Sequence, residues 1–214
     1  MGRPAALSRA RIVEAAAQLV GEHGAEALTA RRLGEALGCD PTAIYRHFVD
    51  LSEVQREVGD HFLAAVKVNA RGDEQWDATV HRICRQLRAV QLRQPRVAAL
   101  VHSAPTLLAN EVRITEALLR ELARGGFPPA AAANAYHALI ELTVGSAAID
   151  AELAARPAPE RRRAYRAWRD HYASLDAERF PHAVAAAAHL YDGTADTRFD
   201  HALTTLLAAL PRFT

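Results

Sequence analysis

The 214-residue chain has little of several features that mark particular classes of protein. Its two cysteines, Cys39 and Cys84, lie far apart and show no metal-ligand spacing, so neither a disulfide framework nor a zinc motif is expected. No apolar run approaches the ~20 residues that cross a bilayer, and the N-terminus has no apolar signal segment. We therefore expect a cytoplasmic protein with reduced thiols and no membrane partner.

The chain also lacks a strong charge of one sign. Its formal net charge is +1, and Lys67 is the single lysine among many arginines. A protein that coats nucleic acid without regard to sequence would carry a large positive charge. Any nucleic-acid surface on this protein must therefore be local.

Helical periodicity is what the sequence has in abundance, whereas alternating patterns of strand length are absent. Half of the residues are hydrophobic, which is enough for a sizeable core. Short apolar stripes occupy the first part of the chain and longer ones the remainder. The sequence predicts an all-α fold, with an N-terminal three-helix DNA-binding domain at 1–50 and a larger helical domain at 51–214.

The segment "LTARRLGEALGCDPTAIYRHF" predicts two short helices joined by a tight turn. Thr29 is a plausible N-cap for the first helix, and Gly38 supplies the backbone freedom of the turn. Asp40 followed by Pro41 is an N-cap followed by a first-turn proline, which starts the second helix. This spacing is typical of a helix-turn-helix, whose second helix enters the major groove of DNA.

The second helix has one apolar and one polar face. Ile44 and Phe48, one turn apart, must face the core, so at about 100° per residue Thr42 and Arg46 point away from it. The arginine fork suits guanine O6 and N7, and Tyr45 offers a hydroxyl to a phosphate and a ring to a thymine methyl. The basic residues that could hold the DNA backbone or the minor groove are Arg3 in a short extended arm, Arg9, Arg11, Arg31 and Arg32.

Charge is the main objection to a DNA surface here. Residues 1–50 contain six arginines and six acidic residues, so this part is formally neutral. A DNA-binding face then requires segregation. Glu14, Glu22 and Glu35 must turn away from DNA or pair internally.

The stretch "IVEAAAQLVGEHGAEALTARRLGEALGCDPTAIYRHF" closely resembles the N-terminal domain of the TetR family of transcriptional repressors. The resemblance is strong over 8–55 and weaker beyond. It implies a supporting helix over 29–37, a recognition helix over 41–48, a homodimer, and a ligand pocket in the C-terminal domain. The DNA contacts that it implies are Arg31, Pro41, Thr42, Tyr45, Arg46 and His47.

Two positions depart from the family pattern. Leu51 stands where the family usually has a lysine that grips a phosphate, so one phosphate contact is expected to be lost. Arg46 stands where an aromatic residue is common, which favours guanine at that position of the half-site. Both interpretations are hypotheses.

The size of the C-terminal domain indicates a ligand, a second subunit, or both. The leucine-rich last helix and the face of the long helix around Ile140, Val144 and Ala147 could form a four-helix dimer interface. Two-fold symmetry would then match a palindromic operator. A monomeric core that uses the same leucines is the alternative.

Polar residues among the apolar stripes of this domain are the candidates for a ligand pocket. Each of them could equally be a satisfied core residue. The resemblance likens His61 and His102 to polar anchors of the tetracycline-repressor inducer site. The candidates are His61, Gln86, His102, Thr106, Asn110, Tyr136 and Glu141.

These patterns predict a sequence-specific regulator, most simply a homodimeric repressor that a small, largely apolar ligand releases from DNA. We expect no cofactor, no metal and no catalytic residue, because no nucleophile elbow, phosphate loop or metal signature is present. Two alternatives stay open. One is a regulator without a small ligand, and the other is an all-α enzyme with a helix-turn-helix-like fragment, of which a metal sensor is a narrower version.

Overall fold

In this computed structural model, which describes residues 7–102 and 105–211, every regular element is helical, so the predicted all-α fold is confirmed for those residues. Three short 3₁₀ segments, Ala25–Ala27, Pro41–Arg46 and Ala99–Val101, accompany the α-helices. The α-helices are α1 Arg9–His23, α2 Ala30–Leu37, α3 Leu51–Leu63, α4 Trp76–Arg93, α5 Pro95–Ala98, α6 Ala109–Arg124, α7 Pro129–Ala154, α8 Ala158–Ala173, α9 Pro181–Ala186 and α10 Ala195–Ala209.

The expected caps define the first helices. The Ser8 hydroxyl accepts a hydrogen bond from the backbone N–H of Arg11 at the start of α1, and Gly24 follows its last residue. Thr29 caps α2 in the same way, and Gly38 ends α2 with a left-handed φ of 65°. Such a φ favours glycine, so the turn between the two helix-turn-helix elements depends on this residue.

Two predicted helices are shorter than the sequence suggested. The recognition helix, expected over 41–48, is the 3₁₀ segment Pro41–Arg46. The apolar stripe of Val54, Val58, Phe62 and Ala65 predicts a second, connecting helix from Asp50 to Ala70. In the structure this helix, α3, ends at Leu63. After that point Val66 and Val68 are buried in a non-helical segment. Apolar residues at alternate positions can bury one side of an extended chain, so these valines do not by themselves indicate a helix.

One continuous hydrophobic core joins the N-terminal helices to the rest of the molecule. Ile12, Leu33 and Ile44 are fully buried in the helix-turn-helix part. Val54 and Val58 on α3 are equally buried and belong to the same cluster. Because α3 packs against both α1 and α6, a displacement of α3 would be felt on both sides.

The C-terminal region is built around α4, which packs against α6, α7 and α10. Helices α8 and α9 pack against each other, and Tyr165 of α8 stacks against Tyr191 with ring centroids 6.2 Å apart. Both cysteines are free thiols. Among the described residues, no helix combines the length and apolarity needed to cross a membrane.

Candidate nucleic-acid interface and effector cavity

The start of the recognition segment is held by Asp40. Its carboxylate accepts hydrogen bonds from the hydroxyl and the backbone N–H of Thr42, at 2.5 and 2.8 Å. These two bonds, with a smaller contribution from the charge of Arg46, lower the pKa of Asp40. Since the Thr42 hydroxyl donates to Asp40, its methyl group and an oxygen lone pair are left for an outside partner.

The two faces of the recognition segment are those that the periodicity predicts. Ile44 and Phe48 are buried, whereas Thr42, Tyr45 and Arg46 are exposed. Arg46 forms no hydrogen bond or ion pair with any residue in the described part of the chain. Its guanidinium is therefore available to a base edge or a phosphate.

Arg9 is engaged inside the protein. One guanidinium nitrogen donates to Glu53 and Glu57 on α3 at 2.8 and 2.7 Å, and the other donates to the backbone carbonyl of His47. The group also lies 4.1 Å from the ring centroid of Phe48. The carboxylate hydrogen bonds raise the pKa of Arg9, and the bond from Arg9, followed by that from the Val49 backbone N–H, lowers the pKa of Glu53. Arg9 thus ties the end of the recognition segment to α3.

The other predicted DNA residues lie in different settings. Arg31 is 86% exposed and pairs with Glu35 at 3.0 Å, which is one of the internal pairings that the charge argument required. Pro41 and His47 are half-buried at the two ends of the recognition segment. Arg3 lies outside the residues that the structure describes.

Val49 is an interface candidate that the sequence analysis did not single out. Its side chain is 86% exposed, directly after the buried Phe48. An exposed valine at this position could contact a thymine methyl group. A residue beyond the last helical position gives no periodic signal, which is why the pattern did not mark it.

Gly34 on α2 sets the approach of the recognition segment. A Cβ atom at this position would lie 3.0 Å from the carbonyl oxygen of Cys39 and 3.1 to 3.2 Å from atoms of Pro41. Glycine therefore lets α2 and the recognition segment pack backbone to backbone. A hydrogen bond holds the turn to α2 at this point, because the backbone N–H of Cys39 donates to the Gly34 carbonyl at 3.0 Å.

A cavity of about 680 Å³ lies in the C-terminal region between α3, α4, α6 and α7. Three of the predicted pocket residues, His102, Tyr136 and Glu141, line it. Its apolar wall is formed by Leu63, Leu87, Val101, Pro105, Ile114, Ile140, Val144 and Ala148. A largely apolar cavity with a few polar groups is the usual form of a small-molecule site.

The structure does not bring the other four predicted residues to the cavity wall. His61 is exposed, because its position on α3 falls beside the buried stripe rather than on it. The amide of Gln86 exchanges two hydrogen bonds with the backbone of Lys67, at 3.0 and 3.2 Å, and so holds the segment after α3. The Asn110 side chain donates to the Asp60 carboxylate, and the Thr106 hydroxyl, which donates to Glu111, lies 3.4 Å from the same carboxylate.

Four polar residues of the cavity were missed from sequence: Gln91, Glu111, Thr115 and His137. The Gln91 amide oxygen lies 3.1 Å from Nε2 of His102, and the Thr115 hydroxyl lies 2.9 Å from that of Tyr136. Burial lowers the pKa of His102. One signal was present, since Gln91 interrupts the apolar stripe of α4. Glu111, Thr115 and His137 stand among ordinary surface-type residues.

Asp60 and Glu111 form a polar junction beside the cavity. Asp60, on α3, accepts hydrogen bonds at 3.0 Å from the backbone N–H groups of Asn110 and Glu111 in the first turn of α6. Its carboxylate replaces a local cap, since Leu108 at the cap position has no side-chain acceptor. Glu111 in turn accepts from the backbone N–H and the hydroxyl of Thr106. No group of three His, Cys, Asp or Glu side chains within 7–102 and 105–211 could hold a metal ion.

This geometry defines first a class of protein: an all-α regulator with a helix-turn-helix and a separate cavity that could accept an effector. Comparison with known protein families then shows to which family of regulators the chain belongs. The family described as "Tetracyclin repressor-like, C-terminal domain" matches residues 69–212, and "Bacterial regulatory proteins, tetR family" matches residues 12–53. The chain belongs to the TetR family of DNA-binding transcription regulators.

Similar proteins agree with this assignment. The class C tetracycline repressor of Escherichia coli is 25% identical over 209 residues, which is 96% of this chain and 91% of that protein. The class A repressor of transposon 1721 is 29% identical over 63% of each chain. Apo ActR of Streptomyces coelicolor has a TM-score of 0.84 at 25% identity, over 98% of this chain and 96% of ActR. ActR has also been solved in complex with actinorhodin, with a TM-score of 0.85 at 26% identity over 96% of each chain.

Proposed function

We propose that the protein is a homodimeric repressor that binds a palindromic operator and leaves it when a small, largely apolar ligand enters the cavity. Relatives with repressor in their names and the ligand-bound structures of ActR support this proposal. The observation that carries it is a chain of polar contacts along α3 from the cavity to the recognition segment.

At the cavity end, this chain begins with Glu111. Glu111 lines the cavity and holds Thr106, whose hydroxyl lies 3.4 Å from the Asp60 carboxylate on α3. At the other end of the same helix, Glu53 and Glu57 hold Arg9, which holds the His47 carbonyl. A ligand that displaces Glu111 would therefore act on the helix that orients the recognition segment.

A close packing contact strengthens the same route. A Cβ atom on Gly59 of α3 would lie 2.4 Å from Cγ1 of Val101, and Val101 lines the cavity. Because glycine allows this approach, a shift of Val101 on ligand binding presses directly on the α3 backbone. The ligand can change operator affinity only if it binds the two arrangements of α3 with different affinity.

The α7 face that the sequence favoured for the dimer interface lies inside the protomer, because Ile140 and Val144 line the cavity and Ala147 is buried.

A different apolar surface, on α7 and α10, supports the homodimer. Ile149 is 83% exposed, and a groove of about 330 Å³ runs between the two helices past Leu142, Phe199 and Ala202. Helices of a second copy would bury this surface and complete a four-helix interface. Such a dimer is two-fold symmetric and presents two recognition segments to the half-sites of a palindrome.

We assign the DNA contacts to Arg31, Pro41, Thr42, Tyr45, Arg46 and His47, with Arg46 on a guanine. Arg3 remains a proposed contact of the N-terminal arm. Arg9 is proposed to support the interface through His47, and any phosphate contact that it makes must compete with Glu53 and Glu57. Few phosphates are neutralised per protomer, so the salt dependence of binding should be modest.

The first experiment is a selection of bound fragments from the genomic DNA of the source organism. Fluorescence anisotropy on the enriched duplex and on a scrambled duplex follows, at several salt concentrations. We expect tight binding of two protomers to the enriched duplex only. If no fragment is enriched, or if both duplexes bind equally with a steep salt dependence, sequence-specific regulation is wrong.

The ligand-control step needs its own test. Sedimentation of the free protein reports the homodimer, and operator anisotropy with and without a cavity-bound compound reports release. A compound that occupies the cavity and leaves operator affinity unchanged would contradict ligand-controlled repression. The open cavity favours ligand control over a regulator that has no small ligand.

A further inference from the structure

The wall of the cavity carries acidic groups without matching basic ones. Glu111 and Glu141 line it, and no arginine or lysine does so within the described residues. The cavity therefore presents negative charge to whatever enters it.

Glu111 is held in place with one oxygen free. Oε2 accepts all of its hydrogen bonds, from the backbone N–H and the hydroxyl of Thr106 and from the backbone N–H of Leu107. Oε1 has no hydrogen-bond partner in the described part of the chain. An oriented carboxylate oxygen at a cavity wall is a preformed acceptor for an N–H or O–H group of a ligand.

Glu141 adds a second carboxylate from α7, on the exposed side of the cavity, where it also borders the groove between α7 and α10. No arginine, lysine or histidine of the described chain pairs with it. The nearby aromatic group is Tyr136, whose hydroxyl is turned toward Thr115 at 2.9 Å. The Tyr136 ring lines the same cavity and offers an aromatic face to a cation.

Two histidines, His102 and His137, line the cavity, and the half-buried His102 does not offset this charge. Burial lowers the pKa of His102, so the imidazole is neutral at neutral pH. If Nε2 of His102 donates to the Gln91 oxygen 3.1 Å away, Nδ1 is a further acceptor. A ligand that carries a carboxylate would meet repulsion from Glu111 and Glu141, and no arginine or lysine of the described wall would compensate for its lost hydration.

We propose that the effector is a small, largely apolar cation, such as a protonated amine, whose N–H group binds Oε1 of Glu111 while Glu141 contributes at the cavity mouth. This rests on the proposed function, because it names the ligand class of the same cavity. The Glu111 bond also gives the cation a means of action. The cation would bind the same carboxylate that holds Thr106 next to Asp60 of α3, so its binding could shift Thr106 relative to α3.

Three probes of one shape test the charge preference: 3,3-diphenylpropylamine, 3,3-diphenylpropan-1-ol and 3,3-diphenylpropanoate. Binding to the full-length protein without DNA is measured by calorimetry. We expect the amine to bind at least about tenfold more tightly than the alcohol, the gain of one charge-assisted hydrogen bond. The carboxylate should bind more weakly than the alcohol.

Variants assign the preference to the cavity carboxylates. Glu111→Gln keeps an oxygen for Thr106 and removes the charge, so the amine preference should fall by about tenfold while the fold is retained. Glu141→Gln should reduce it by a smaller factor, and it touches no structural hydrogen bond of the described chain. Glu116→Gln, on the exposed side of α6, is the matched control and should leave the preference unchanged.

The outcomes separate this inference from the repressor proposal. Equal or tighter binding of the carboxylate overturns the cation site, and so does failure of all three probes to bind at millimolar concentration. An amine that binds through Glu111 but does not release the operator leaves the cation site standing and contradicts ligand-controlled repression. If the carboxylate probe binds the cavity and releases the operator, the cation site is wrong and ligand-controlled repression is supported.

Discussion

Two arginines show how differently the two ends of this molecule use the same side chain. Arg46, in the recognition segment, is exposed and has no hydrogen-bond partner among the described residues. Arg88, on α4, is 3% exposed and donates to Asp150 at 2.6 Å, to Ser146 at 3.0 Å and to Asp196. The donors of Arg46 are available to an outside partner, whereas those of Arg88 are bound to other residues of the protein.

The difference extends to the surroundings of each residue. Around the recognition segment, polar groups make short local bonds, such as that of Asp40 with Thr42, or weak exposed pairs, such as that of Arg31 with Glu35. Around α4 and α3, buried polar groups join helices that are distant in sequence. We infer that polar groups without a partner in the protein mark the surface available to DNA. Polar groups that bond to distant helices mark the parts that hold the protein's geometry.

Arg88→Ala should have the largest effect on stability. It leaves Asp150, which is 17% exposed, without its partner, whereas Asp196 is 70% exposed and stays hydrated. We therefore expect a cost of about 3 kcal/mol. Chemical denaturation at a fixed protomer concentration measures the free energy of unfolding. Arg156→Ala, which breaks an exposed pair with Glu152, is the control and should cost at most about 1 kcal/mol. Equal costs for the two variants would contradict the comparison.

Asp60→Ala should come next, at about 2 kcal/mol, because it removes the acceptor for the first N–H groups of α6. Asp50→Ala removes a local cap, whose carboxylate accepts from the Glu53 N–H at 2.7 Å, and should cost about 1 kcal/mol. Hydrogen exchange on α6 should rise in the first variant only. Unchanged exchange there would mean that the distant carboxylate is not the cap.

Arg46→Ala should leave stability within about 0.5 kcal/mol and weaken binding to the operator by about 1–3 kcal/mol. It should also relax base preference at one position of each half-site. Competition anisotropy with single-base operator variants measures both. Arg32→Ala, an exposed residue of α2, should weaken binding to all sequences alike. A base preference unchanged in Arg46→Ala would refute the guanine assignment.

Glu74 should give the smallest effect, visible only in acid. Hydrogen bonds from Arg82, then from Thr79 and the Arg71 backbone, lower its pKa to about 2. A carboxylate with a depressed pKa stabilises the fold at pH values above its unfolded pKa, and this contribution is lost as the pH falls toward 2.

Between about pH 4.5 and pH 2, Glu74→Gln should therefore lose stability less steeply than the wild type. Denaturation curves across this range test the prediction, with Glu116→Gln as a control for a change in charge alone. Parallel pH profiles for the wild type and Glu74→Gln would show that the pair with Arg82 contributes nothing to stability.

Local signals in the sequence predicted much of the helix-turn-helix correctly. The caps at Thr29 and Asp40, the left-handed Gly38 and the burial of Ile44 and Phe48 all follow from neighbouring residues. The engagement of Arg9 could not be predicted in this way. Its partners Glu53 and Glu57 lie more than 40 residues away, and nothing in a helical stripe indicates which distant carboxylate an arginine meets.

The cavity was predicted less well. His102, Tyr136 and Glu141 line it, but His61 and Gln86 do not. A polar residue next to an apolar stripe can face a cavity, a loop or solvent. A small rotation of the helix about its axis decides which of these it faces. Gln86 meets the Lys67 backbone because the chain leaves the helical path after Leu63, which the valine pattern concealed.

The sequence by itself determined the all-α class, the helix-turn-helix and the outward direction of Thr42, Tyr45 and Arg46. These depend on periodicity, capping and turn chemistry, which act over a few residues. Only the tertiary structure decided that Arg9, Asp60 and Glu111 are joined through α3, and that the cavity wall is acidic. Those facts depend on which helices pack together, and packing brings together side chains whose separation along the chain carries no local signal.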